Sequence, residues 1–383
     1  MKPNQSSLLP HAQQFCEWFS QQRLSLSKYM SSKEEQLMHA PQFCIVHVPM
    51  TFIEEFIQQF LLPLFNNQYQ YETLKTQFCK TLHDELKINI VESSSDSQKP
   101  LQFKRFVVLS DSHCQEQALY PKIPNGDIVL HCGDFTDRGS FEEIQQFNSL
   151  LGTLKKNGKC KLTICISGNH DLMMDPKLNT QLNAEQIFNK KEHPLLPDCD
   201  YYLCNNSLIL DGAIKIYGSP ITPFQGFHAE TKEAFQMWQR MDSDADIVMT
   251  HNPPYNILDL AWVSQGTKGR CSTCNREHPK GSHWGDFWLK HALIHRVKPT
   301  VACFGHVHDE PGYVRHSIEE LVQQEDHQKQ LFNIPSTNHY GNGVSSKTTS
   351  HNNITFLNAA LDLTHRVYFF DYFYEPNSKV EFF

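Results

Sequence analysis

The chain has 383 residues, a formal net charge of -8 and 39% hydrophobic residues. That length holds one large α/β domain with an extension, or two ordinary domains. The mild acidity argues against a strong sequence-independent grip on nucleic acid or an anionic membrane. No apolar stretch approaches the roughly 20 residues that span a bilayer; the best, Phe52 to Phe65, is cut by Glu54, Glu55 and Pro63. The N-terminus opens polar, without a basic-then-apolar leader. The twelve Cys are scattered, and Cys132, Cys165 and Cys303 lie inside apolar runs, as buried thiols in a reducing compartment would. A cytoplasmic setting is expected.

Residues 1 to 91 carry aromatics at helical spacing: Phe15, Trp18 and Phe19; Phe52, Phe56 and Phe60; Leu74, Phe78 and Leu82. They predict a mainly helical N-terminal extension, with a short strand at Phe43 to Val48. Its aromatic faces read as a packed accessory layer or a dimer surface, so a homo-oligomer would form through this region. Residues 92–100 are polar, end in Pro100 and read as a linker to a domain spanning 101–383.

Beyond the linker, short β-branched runs end in turn residues. They are Phe106 to Leu109, Ile128 to Leu130, Leu162 to Ile166, Ile247 to Met249 and Val301 to Phe304. Runs this short and continuously apolar suit buried strands. Helical periods lie between them at Phe141 to Leu154, Ala229 to Met241 and Phe287 to His295. Hairpin-like strands are expected at Ile214 to Tyr217, Ile354 to Leu357 and Val367 to Phe370, and a polar loop at 341–352. The alternation predicts a layered α/β domain.

Each of the five apolar runs leads into a polar segment. These are Asp111–Ser112–His113, Gly133–Asp134, Gly168–Asn169–His170–Asp171, Thr250–His251 and Gly305–His306–Val307–His308. Ligands bind at the carboxyl ends of strands in such sheets, so the segments read as one site. They supply the mixture of O and N donors that two adjacent divalent ions need. Asp134 suits the bridge, because Gly133 lets the backbone turn tightly. Asp111, His113 and His308 would face one ion. Asn169, His251 and His306 would hold the other, with the Asn169 amide oxygen as a neutral donor. Few carboxylates keep the site cationic, so it attracts phosphate oxygens. The ions would polarise the phosphoryl group and make hydroxide available from a bridging water near neutral pH. Manganese is the expected metal, with iron, zinc or magnesium as alternatives.

His170 is the spare imidazole and reads as general acid for the leaving oxygen. Asp137 or Asp171 would be its anionic partner. Arg138 would clamp a phosphate oxygen, and Asn169 also lies where substrate would bind.

The ordered set DSH, GDFTDRG, GNHD, THNPP and GHVH resembles the calcineurin-like metallophosphoesterase superfamily. The THNPP and GHVH regions are most similar to small metallophosphoesterase-domain proteins related to bacterial class III cyclic nucleotide phosphodiesterases. The likeness covers Phe103 to Phe370. It implies an αββα sandwich, a dimetal centre with the ligand roles just given, and His170 as proton donor. Some animal members of that branch lack one His of the last motif; here both His306 and His308 are present. The GDFTDRG loop also resembles that of Ser/Thr phosphoprotein phosphatases, whereas the GHVH ending does not.

Between Asp259 and Trp284 the chain carries Cys271, Cys274, His278 and His283 in a loop that is long for the family. Cys271 and Cys274 with a His would make a structural zinc site, although a free-thiol loop fits the spacing better. His283 would instead lean over the site and touch substrate. The expected activity is dimetal-dependent hydrolysis of a small phosphodiester such as a cyclic nucleotide. A nucleotide-binding scaffold with little turnover and a phosphoprotein phosphatase are the alternatives.

Overall fold

A computed structural model describes residues 5–25, 42–65, 70–91, 101–179, 193–261, 281–332, 352–361 and 365–375. The expected linker at 92–100, residues 341–351 of the polar loop, and Cys271, Cys274 and His278 lie outside these residues.

Two six-stranded mixed sheets lie at the centre. The first has the order β1 (Gln42–Phe43), β16 (Tyr368–Tyr374), β4 (Gln102–Leu109), β5 (Ile128–Cys132), β6 (Leu162–Ile166) and β7 (Tyr201–Tyr202). The second runs β14 (Gly312–Ser317), β15 (Asn353–Asn358), β13 (Val301–Phe304), β10 (Ile247–Thr250), β9 (Ile214–Ser219) and β8 (Asn206–Leu210). Each sheet contains a run of four parallel strands: β4, β5, β6 and β7 in the first, β15, β13, β10 and β9 in the second. Small paired strands lie outside them, β2 (His47–Pro49) with β3 (Asn89–Val91) and β11 (Leu260–Ala261) with β12 (Ser282–His283).

The central strands β5, β6, β10 and β13 are mostly apolar because both of their faces are buried. In β5, Ile128, Leu130 and Cys132 face the layer between the sheets, while Val129 faces the outer layer. Helix α4 (Phe141–Lys156) covers the first sheet with Ile144, Phe147, Leu151 and Leu154, spaced at the helical period. Its start is fixed by a capping box: Ser140 Oγ accepts from Glu143 N, and a Glu143 oxygen accepts from Ser140 N. Helices α5 (Thr231–Arg240), α6 (Phe287–Ala292) and α7 (Ile318–Phe332) pack on the second sheet through Trp238, Leu289 and Leu321. The result is the expected αββα sandwich, with the four layers helix, sheet, sheet, helix.

The N-terminal helical region is present as α1 (Gln5–Ser25), α2 (Met50–Phe56) and α3 (Tyr71–Leu86). Phe15, Phe19, Phe56 and Phe78 bury one another. The expected strand at 43–48 divides into β1 and β2, because β1 joins the large sheet beside β16 and β2 pairs with β3. Arg23 of α1 and Arg105 of β4 both reach Asp371 of β16, at 2.6 and 2.9 Å, in a buried cluster. Among the described residues no helix is long and apolar enough to cross a membrane. Cys132, Cys165 and Cys303 are buried free thiols.

Candidate metal centre

The polar segments follow the inner parallel strands β4, β5, β6, β10 and β13 and meet at their carboxyl ends. Asp111 (φ 55°), His113 (φ 40°), Asp134 (φ 52°) and His306 (φ 69°) all adopt left-handed backbone conformations just beyond a strand. Such conformations cost energy outside glycine and cluster at functional sites. Gly168 is required by a close approach: a Cβ there would run into Asp134 Oδ1 and into His251 Cε1 at 2.6 Å.

Donor atoms of Asp111, His113 and His308 lie within 4.8 Å of one another, as do those of Asp134, His251 and His306. His308 Nε2 is 3.3 Å from Asp111 Oδ1. His251 Nε2 is 3.2 Å from Asp134 Oδ2 and 3.0 Å from Asn169 Oδ1. The Asn169 amide donates to Gln225 Oε1 at 2.9 Å, which turns its oxygen toward His251. The structure therefore brings all seven expected metal-ligating side chains together.

Three of the imidazoles are braced from behind by main-chain carbonyls. The Nδ1 atoms of His113, His251 and His308 lie 3.0, 2.9 and 2.9 Å from the carbonyls of Thr136, Cys132 and Leu361. Metal-binding His residues are held in this way, with the second ring nitrogen left for the ion. His306 Nε2 is buried and has no hydrogen-bond partner. A buried polar atom without a partner is costly, and a cation would supply one. Donor type, spacing and this orphaned nitrogen all fit a pair of divalent ions.

Burial opposes the charge on Asp111 and Asp134, yet His308 beside the first and His251 beside the second hold both carboxyls below their ordinary range. Burial also opposes charging of those imidazoles, but their carboxylate partners lift His251 and His308 to about 9. His306 is pushed down to about 3, chiefly by burial and then by the charge of His251, and stays neutral.

His170 stands beside His113, with ring centroids 4.9 Å apart. Neither expected carboxylate hydrogen-bonds its ring. Its Nδ1 lies 2.6 Å from the main-chain carbonyl of Asp137 instead. The Asp137 carboxylate comes within 4.8 Å of the His113 and His170 donor atoms and pairs with Arg138 at 3.7 Å. Asp171 turns away from the imidazole into the protein. It accepts from the amides of Asp134, Thr136 and Gly168 and from the Thr136 hydroxyl, at 2.7 to 2.9 Å. It thus ties the Asp134 loop to the Asn169 loop. Burial and the nearby Asp134 charge push it up to about 7.

The Arg138 side chain is 86% exposed, with Asp137 as its ionic partner. His283 does not lean over the site. It is buried, with Nδ1 2.7 Å from Asp259 Oδ1, and Asp259 also accepts from the amides of Asn256 and Gly285. The side chain that reaches the site from this loop is the next one. Trp284 is 39% exposed, with its ring 5.4 Å from that of His306. Phe224 is 38% exposed, 5.1 Å from His306 and 5.8 Å from Trp284. Neither aromatic, nor Gln225, belongs to a motif; each sits in a connecting segment whose sequence carries no local sign of its neighbours.

A layered αββα domain with two donor clusters across its strand ends defines a metal-dependent phosphoesterase. Residues 104–310 match the family model for calcineurin-like phosphoesterases, and the chain belongs to that family. It is 33% identical over 218 residues to a UPF0046 protein of Caenorhabditis elegans, a match covering 54% of this chain and 70% of that one. It is 31% identical over 234 residues to Metallophosphoesterase domain-containing protein 1 of Homo sapiens, covering 57% of this chain and 64% of that one. The family is one of phosphoric ester hydrolases that use divalent metal ions.

Proposed function

We propose that the chain is a dimetal phosphodiesterase acting on a small diester with a flat organic group, a cyclic nucleotide being the leading example. In this reading Asp111, His113 and His308 hold one ion, and Asn169, His251 and His306 the other, with Asp134 between them. Manganese is the proposed metal, and the cytoplasm the proposed setting. When bound, the ions supply Lewis-acid polarisation of the phosphoryl group and hydroxide near neutral pH.

The observation that carries the diester reading is the placement of two different features on opposite donor groups. His170 adjoins His113 of the first group, and Phe224 and Trp284 adjoin His306 of the second. A diester has a substituent for each side: one ester oxygen toward His170 and one organic group against the aromatic pair. A monoester would leave one side unused. His170 holds its Nδ1 proton on the Asp137 carbonyl, so Nε2 is the atom that protonates the leaving oxygen. Phe224 and Trp284 offer π-faces on which a base can stack. Next to Trp284, a cavity of about 210 Å³ is also lined by Thr222, Pro223 and Asn252.

The test is a substrate panel with the manganese-loaded protein. Faster turnover of bis-nitrophenyl phosphate and cyclic nucleotides than of nitrophenyl phosphate or phosphopeptides is expected. Preference for phosphopeptides would replace this reading with a protein phosphatase. Tight nucleotide binding without turnover would replace it with a scaffold.

A further inference from the structure

We infer that His291, His295 and Glu325 form a zinc site separate from the donor groups described above. His291 lies in α6, and His295 in the π-helical turn Leu293–Val297 that continues it. The four-residue spacing puts both rings on one face, with centroids 4.3 Å apart. Glu325 arrives from α7. Its Oε1 is 2.5 Å from His291 Nδ1 and 3.3 Å from His295 Nε2. One donor atom from each residue lies within 4.8 Å of the other two.

The environment suits an ion. The Glu325 side chain is fully buried, and that of His291 is 6% exposed. A carboxylate so deeply placed needs compensating positive charge; the buried Lys290 ammonium acts on it from α6, and both rings converge on one of its oxygens. Two imidazole nitrogens and a carboxylate oxygen are a zinc donor set. Bonds of roughly 2.0–2.1 Å in a tetrahedral site separate the donors by about 3.3 Å. The His295–Glu325 pair already has that spacing, and the His291–Glu325 pair must widen. The His295 side chain is 29% exposed, which leaves the ion an entry path and room for water as a fourth ligand. π-helical turns are frequent at functional sites. Zinc here would staple α7 to α6 on the outer layer of the second sheet.

The experiment uses the full chain, loaded with zinc and passed through gel filtration, with zinc counted by elemental analysis. An Asp134→Asn background disables the phosphoesterase centre. Asp134→Asn should retain one more zinc per chain than Asp134→Asn/His295→Gln. Zinc should raise the unfolding temperature of the first and raise that of the second less. Glu325→Gln, which keeps the shape of the side chain, should lose the same equivalent. His295→Gln alone should fold and keep its manganese-dependent turnover, so failure of this site and failure of the phosphoesterase reading are told apart. Equal zinc content with and without His295, or a zinc effect on unfolding that ignores both substitutions, would overturn the inference.

Discussion

The ring of His170 is held by the main-chain carbonyl of Asp137, 2.6 Å from Nδ1, and not by a side-chain carboxylate. A carbonyl fixes the orientation of the ring and the proton on Nδ1, and no side-chain substitution at 137 removes it. Asp137→Asn should therefore leave turnover close to that of the parent protein. His170→Ala should lower kcat by about 10²–10⁴, the usual contribution of a positioned acid, with metal content unchanged. Steady-state kinetics beside elemental analysis checks both.

Asp171 should matter more for structure than for chemistry. Its carboxylate accepts four hydrogen bonds that tie the Asp134 and Asn169 loops together. Asp171→Ala leaves buried donors unsatisfied, at about 1–3 kcal/mol for each lost partner. The expected result is a clear loss of thermal stability together with weaker metal retention, read by calorimetry and metal titration.

The aromatic pair beside His306 should govern the organic group and not the phosphoryl chemistry. Trp284→Ala should raise KM for cyclic nucleotides by an amount equivalent to about 1–3 kcal/mol of stacking. Turnover of a dialkyl phosphate should change little. A matched loss on both substrates would show that Trp284 supports the metal centre instead.

The metal-free protein should show a distinctive pH dependence. The pKa of His251 is lifted from 6.5 to about 9, chiefly by Asp134 acting against burial. A raised folded-state pKa contributes stability that is complete below pH 6.5 and is lost as pH rises through about 9. Metal binding needs the neutral ring, so the stabilisation that added metal provides should grow across that window. Unfolding temperatures with and without manganese from pH 6 to 9 should therefore diverge.

The sandwich and the donor set were legible because their signals are local. Asp111, His113, Asp134, Asn169, His251, His306 and His308 each lie next to an apolar run that the two-sided burial of its strand makes recognisable. Contacts between distant segments leave no such trace. Arg23 meets Asp371 across 348 positions, and Gln225 meets Asn169 across 56. The exposed aromatics Phe224 and Trp284 lie in connecting segments, and only the fold sets them against His306. His283 misled for the same reason: Asp259 takes its ring, and the residue after it faces the site.

The Arg23–Arg105–Asp371 cluster also joins the N-terminal helices to the large sheet. Removing the carboxylate would leave two buried guanidinium groups without their counter-charge. Asp371→Ala should cost about 3–5 kcal/mol, measured by denaturant unfolding.

The most direct test of the central claim is diester hydrolysis by one preparation before chelation, after chelation, and after manganese is restored. The account predicts activity that disappears with the metal, returns with it, and is nearly absent in Asp134→Asn at every stage. Hydrolysis at an undiminished rate by the metal-free protein, or none by the fully loaded protein on any phosphate ester, would contradict it.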